Sequence, residues 1–185
     1  MSRASAFELL GRTPSTSGRV RQVALPPAAR RLGTLSSVDY EDAFLVGTGS
    51  APDRTPLQWA RAILENAPIG FRTTAPWAWF ALGLKHGSPR SARFVLGWEV
   101  RRSSPDFALL GARARLGLEG EVLVKRRQHT LLVATFVQLE NPIARAVWAG
   151  VAPGHRQVVR YLLEQAGRPG TASVPTMNRA AASSG

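Results

Sequence analysis

Asn141-Pro142-Ile143-Ala144-Arg145-Ala146-Val147-Trp148-Ala149-Gly150-Val151-Ala152-Pro153-Gly154-His155-Arg156-Gln157-Val158-Val159-Arg160-Tyr161-Leu162-Leu163-Glu164-Gln165-Ala166-Gly167 reads as one long terminal helix. Asn141 is a preferred N-cap residue. Pro142 stands at the first helical position, where a missing N–H forfeits no intrahelical bond. Gly167 supplies a C-cap, and Pro169 prevents a restart. Ala144, Val147, Trp148, Val151, Val158, Val159, Leu162 and Ala166 recur at three- and four-residue steps. That spacing predicts an apolar stripe along one face, which needs a surface to lie on. Pro153-Gly154 falls midway and predicts a kink or bulge.

Upstream the period changes to two, so the surface is a sheet. Ala92–Arg102, Phe107–Leu116 and Leu118–Arg126 each alternate, and Thr130–Leu139 is apolar on both faces. Turns at Ser103-Ser104-Pro105-Asp106, at Gly117 and near Arg127-Gln128-His129 are short, which predicts antiparallel neighbours. Phe94, Leu96, Trp98, Val100, Leu110, Val122 and Val124 fall on the side expected to face the helix. Ala108, Ala112, Ala114 and Gly120 share it. These small residues either let the helix pack closely or leave a void. Glu99, Arg101, Arg113, Arg115, Glu119, Glu121 and Lys125 fall on the other side, expected to be a solvated face with cross-strand charge pairs.

Before this sheet run, Val38–Val46 is expected to be a strand that ends at the turn cluster Gly47-Thr48-Gly49-Ser50. Two short helices follow. Thr55 caps the first, with Pro56 at its first position. The second spans Pro76–Lys85 and is apolar nearly all round, with Trp77, Trp79 and Phe80. One strand, two helices, several antiparallel strands and a long helix make an α+β fold. The simplest way to bury every apolar face is a curved antiparallel sheet wrapped around the C-terminal helix.

The chain is long enough for one domain with tails. Residues 1–37 hold six Arg against Glu8 alone and are expected to be a mobile basic segment. Residues 38–167 form the domain, and residues 168–185 read as a disordered tail. More than half of the net charge of +12 lies in the two tails, so the charge does not mark a folded nucleic-acid face. There is no cysteine, which excludes disulfides and thiol chemistry. The apolar-leaning runs are too short to span a bilayer, and no secretory signal is visible. A soluble, cytoplasmic protein is expected.

Three stretches carry a family resemblance. They are Val38-Asp39-Tyr40-Glu41-Asp42-Ala43-Phe44, Leu118-Glu119-Gly120, and Pro153-Gly154-His155-Arg156-Gln157-Val158-Val159. Over residues 38–166 the chain resembles the START-like superfamily, with its polyketide cyclases and pollen-allergen relatives. Within it the chain is most similar to a bacterial domain family of unknown function. The resemblance implies a helix-grip fold with an internal cavity between sheet and terminal helix. It supplies no catalytic signature.

The candidate ligand-lining residues are Trp77, Phe80, Phe94, Trp98, Leu110, Val122, Trp148, Val151, His155 and Tyr161. His155 lies on the helix stripe beside the expected kink and is the one candidate catalytic group. It is placed to meet a ligand head group or act as a base; equally, it is placed to satisfy carbonyls that the kink frees. His86 and His129 fall in turns, and three scattered histidines do not make a metal site. No cofactor fingerprint and no nucleophile elbow is present. These features lead to a module that binds a small apolar molecule such as a lipid, polyketide or isoprenoid. Two alternatives stand beside it. One is a cyclase or dehydratase-type enzyme using His155, with Arg156 or Tyr161. The other is an interaction protein without a ligand, whose basic tails make weak anionic-lipid contact but no specific nucleic-acid contact.

Overall fold

The computed structural model describes residues 20–48, 53–65, 67 and 93–167. The expected helix Pro76–Lys85, with Trp77 and Phe80, lies outside the described residues, as does the tail 168–185. In chain order the elements are β1 (Val20–Gln22), α1 (Pro27–Arg30), β2 (Tyr40–Gly47), α2 (Pro56–Glu65), β3 (Phe94–Val95), β4 (Trp98–Ser103), β5 (Phe107–Arg113), β6 (Leu118–Arg127), β7 (Thr130–Leu139) and α3 (Pro142–Ala166). The fold is α+β. Its strands form one seven-stranded sheet in the order β1-β2-β7-β6-β5-β4-β3, with every pairing antiparallel.

Local sequence sets the helix ends. The Asn141 side chain accepts from the Ala144 N–H at 2.8 Å, and Pro142 begins α3. Thr55 and Gln58 form a reciprocal capping box at α2: Gln58 N–H donates to Thr55 Oγ1, and Thr55 N–H to Gln58 Oε1. Gly167 ends α3 in an ordinary right-handed conformation. The helix continues through Pro153 as a single element, although Pro153 gives no N–H to the Ala149 carbonyl.

The run Ala92–Arg102 is not one strand. Leu96 and Gly97 both take positive φ, 47° and 87°, and turn the chain back, so that Val95 pairs with Trp98 and Phe94 with Glu99. Paired residues share a face. Val95 therefore enters the core beside Trp98, while Phe94 lies on the opposite side from its expected place. The period-two pattern was genuine, but a two-residue reversal inside it changes which parity points inward. A second irregularity, a bulge between Val100 and Arg102, shifts the β4–β5 register.

The helix-facing side of the sheet packs Phe44, Val46, Leu110, Val124, Leu131 and Val133 against Trp59 and Ile63 of α2 and Leu162 and Leu163 of α3. The other side was expected to be solvated and is not. Residues 20–37, expected to belong to a mobile segment, instead pair along β2 and then cross this face. Ala29 is buried, with Val23, Leu25, Leu32, Leu35 and Val38 packed against Ala43, Leu109, Leu123, Leu132, Ala134 and Phe136. This strap explains why β7 is apolar on both faces: it is an interior strand covered from both sides.

Glu121 is the clearest correction on that face. It is 0% exposed. Its carboxylate accepts from the Thr34 N–H at 2.9 Å, from the Thr34 hydroxyl, and from Arg101 Nη1 at 2.7 Å. Arg101 also pairs with Glu119. Burial opposes the Arg101 charge, but the two carboxylates outweigh it and hold its pKa above the ordinary value. Arg101 lies over Gly111, where any Cβ would collide with the guanidinium stem. A long arginine reaches the buried carboxylate because its neighbour strand carries no side chain there.

Candidate functional site

Residues of one parity on β2 point at α3, and that parity reads Tyr40, Asp42, Phe44, Val46. Asp42 is an acid on an otherwise apolar face. It is 5% exposed and stands in register with Thr135 of β7, itself buried. From the other side, α3 presents Trp148 and His155. They are seven residues apart, two helical turns, and so share a face.

These groups converge. The Tyr40 hydroxyl donates to Asp42 Oδ2 at 2.7 Å, and Arg156 Nε donates to the Tyr40 hydroxyl at 3.1 Å. His155 Nε2 stands 3.6 Å from Asp42 Oδ2, beyond hydrogen-bond range. The rings of Tyr40, Trp148 and His155 pack mutually, with centroids 5.0, 5.3 and 6.1 Å apart. Three polar atoms within this cluster are buried with no hydrogen-bond partner among the described residues: Asp42 Oδ1, Trp148 Nε1 and His155 Nε2. A buried polar group left unpaired costs about 1–3 kcal/mol. The concentration of three in one place is therefore unusual for a purely structural contact.

The electrostatics follow from burial. The Tyr40 phenol is pushed up to about 12 by desolvation first and its bond to Asp42 second, with Arg156 opposing. Tyr40 is thus a proton donor at all physiological pH. Burial lowers the His155 pKa below its ordinary 6.5; Asp42 pulls it up and Arg156 pushes it down again. The imidazole is neutral at neutral pH. The sign of the pH effect is then fixed. As pH falls below 6.5 the unfolded chain protonates His155 before the folded one does, so stability declines on acidification and is unaffected above that value. In urea titrations between about pH 7.5 and about pH 5.5, the native midpoint should fall, and His155→Gln should fall less. Equal slopes for both proteins would remove His155 from the acid sensitivity.

Of the residues singled out from sequence, Trp148 and His155 lie in this cluster. Trp98 packs nearby, its ring over Gly120, where a Cβ would stand 3.4 Å from it. Leu110 and Val122 face the helix side as expected, in the adjoining core. Val151 and Tyr161 do not line the interface, at 37% and 46% exposure. The buried face of α3 centres on Ala144, Trp148, His155 and Leu162; Tyr161 lies round the helix from it, whereas Val151, seven residues on from Ala144, shares that face and is nevertheless exposed. Phe94 is on the other side of the sheet. Sequence reasoning missed Tyr40, Asp42 and Thr135. The available signal was polarity out of pattern: Asp42 among apolar residues of one parity on β2, and Thr135 likewise on β7.

No helix among the described residues is long and apolar enough to cross a membrane. No protein-family model matches the chain, and no curated protein does. Among solved structures, it is similar to a protein from Arthrobacter aurescens determined by solution NMR in a structural genomics programme. The identity is 13%, covering 71% of this chain and 93% of that one, with a TM-score of 0.36. A likeness at that level bears on neither superfamily nor function.

Proposed function

We propose that this protein binds a small, mostly apolar molecule between its sheet and terminal helix, and anchors one polar group of it at Asp42, Trp148 and His155. The observation that carries this reading is the set of three buried polar atoms without partners at one point of an otherwise apolar interface. A ligand group that pairs with them recovers what burial alone forfeits. The apolar body lies against Trp98, Val137 and the small residues Ala112 and Ala114. Entry requires α3 to yield. The segment around Pro153 is the natural place, because the Ala149 carbonyl lacks its helical donor and Gly150 and Gly154 have open space around them. The element order supports a START-like, helix-grip assignment: a strand, a helix, five antiparallel strands and a long helix follow β1 and α1.

Native mass spectrometry of the full chain purified from its own host, followed by denaturing extraction, tests the reading. A stoichiometric apolar adduct that is lost in His155→Ala is the expected result. A bare mass in both proteins, together with no thermal shift from any amphipathic additive, would overturn it.

A further inference from the structure

We infer that the polar group this site accepts is a neutral hydroxyl, an alcohol or a phenol, on an otherwise apolar molecule. This rests on the binding reading above and specifies its chemistry. Asp42 Oδ1 is a carboxylate oxygen that needs a donor, whereas Trp148 Nε1 is a donor only and needs an acceptor. A hydroxyl meets both demands from a single atom. His155 Nε2, on a neutral imidazole, completes the ring of contacts.

Other common head groups fail on one count or more. A carboxylate brings a second negative charge against buried Asp42 and offers it no proton. An ammonium leaves the Trp148 N–H unmet and faces the Arg156 guanidinium, which lies 5.7 Å from the Tyr40 ring. A ketone or ester accepts from Trp148 but gives Asp42 nothing.

The test titrates the intact full-length protein by calorimetry with decanol, decanoate, decylamine and methyl decanoate. Decanol is expected to bind at least about tenfold more tightly than the others, the equivalent of one well-made hydrogen bond to a charged group. Trp148→Phe keeps a ring while deleting the N–H, and Asp42→Asn keeps the shape while adding a donor. Each should remove most of the preference for decanol. If decanoate, decylamine or the ester matches decanol, and its binding still depends on Trp148 and Asp42, the binding site stands and the hydroxyl assignment falls. If nothing binds, or binding ignores both substitutions, the binding reading itself falls. The comparison among ligands uses the unaltered protein, so a variant that folds poorly does not obscure it.

Discussion

A chain that begins at Asp39, without the strap, is expected to lose its cooperative thermal transition and to precipitate. A chain that begins at Val20 keeps every strap contact and is the reference. The strap covers Leu109, Leu123, Leu132 and Phe136, each 0–1% exposed in the intact protein. Burying a large apolar side chain contributes about 1.5–3 kcal/mol. Uncovering one face of four such residues forfeits a sizeable part of the about 5–15 kcal/mol that holds a typical domain together. Loss of β1 also leaves β2 as an unpaired edge beside the newly exposed apolar face, a combination that favours association between chains. The measurements are soluble yield, sedimentation and heat unfolding of the two chains. Were the shortened chain monomeric, with a melting temperature close to the reference, residues 20–38 would be an ornament rather than a layer of the fold.

Glu121→Ala is expected to destabilise the protein by about 3–5 kcal/mol, the range seen when one member of a buried ion pair is removed. The substitution strands Arg101 over Gly111 with Glu119 as its remaining carboxylate, and it strips Thr34 of both its bonds to Glu121, leaving the contact from Arg101 Nη1 to the Thr34 hydroxyl at 3.4 Å. Glu119→Ala should cost less, because that side chain is 16% exposed and Arg101 keeps its bond to Glu121. Thr34→Ala should reproduce a smaller part of the Glu121 effect, since it deletes the hydroxyl contacts with Glu121 and Arg101 and keeps the Thr34 N–H bond. A double-mutant cycle between Thr34 and Glu121 measures the coupling of the strap hydroxyl to the carboxylate. Urea unfolding at neutral pH supplies all four values. A Glu121→Ala effect within about 1 kcal/mol of zero would place this network among ordinary surface pairs.

Both expectations concern the face that sequence periodicity marked as solvent-exposed. The alternation in β5 and β6 was legible, and the charged parity does lie on the side away from α3. Periodicity reports which side chains share a face; it does not report what covers that face. The cover here is a stretch whose apolar residues, Val23, Leu25, Ala29, Leu32, Leu35 and Val38, stand three or four apart from Leu25 on. Yet Pro26-Pro27 and Gly33 interrupt the run and only Pro27–Arg30 is helical, so the spacing does not announce a covering layer. The double-sided apolar character of Thr130–Leu139 was the one sequence feature that required a second layer.

The site divides in the same way. His155 was legible as a polar residue on an apolar helix stripe. Its partner Asp42 was not, because the two are far apart in sequence and meet only when β2 lies under α3. Val151 lies on the helix face of Ala144, Trp148 and His155 and is nevertheless exposed, because spacing assigns a face without saying what packs against each turn of it; Tyr161 stands outside that stripe.

Local sequence was enough for capped α2, capped α3, the antiparallel run from Phe107 to Leu139 and the parity of its side chains. Those follow from backbone dihedral preferences, cap chemistry and local spacing, which act over a few residues. Tertiary packing alone makes residues 20–37 a layer, buries Glu121, and brings Tyr40, Asp42, Trp148 and His155 together. Each of these depends on contacts between segments distant in sequence, whose energy appears only when water is excluded from between them.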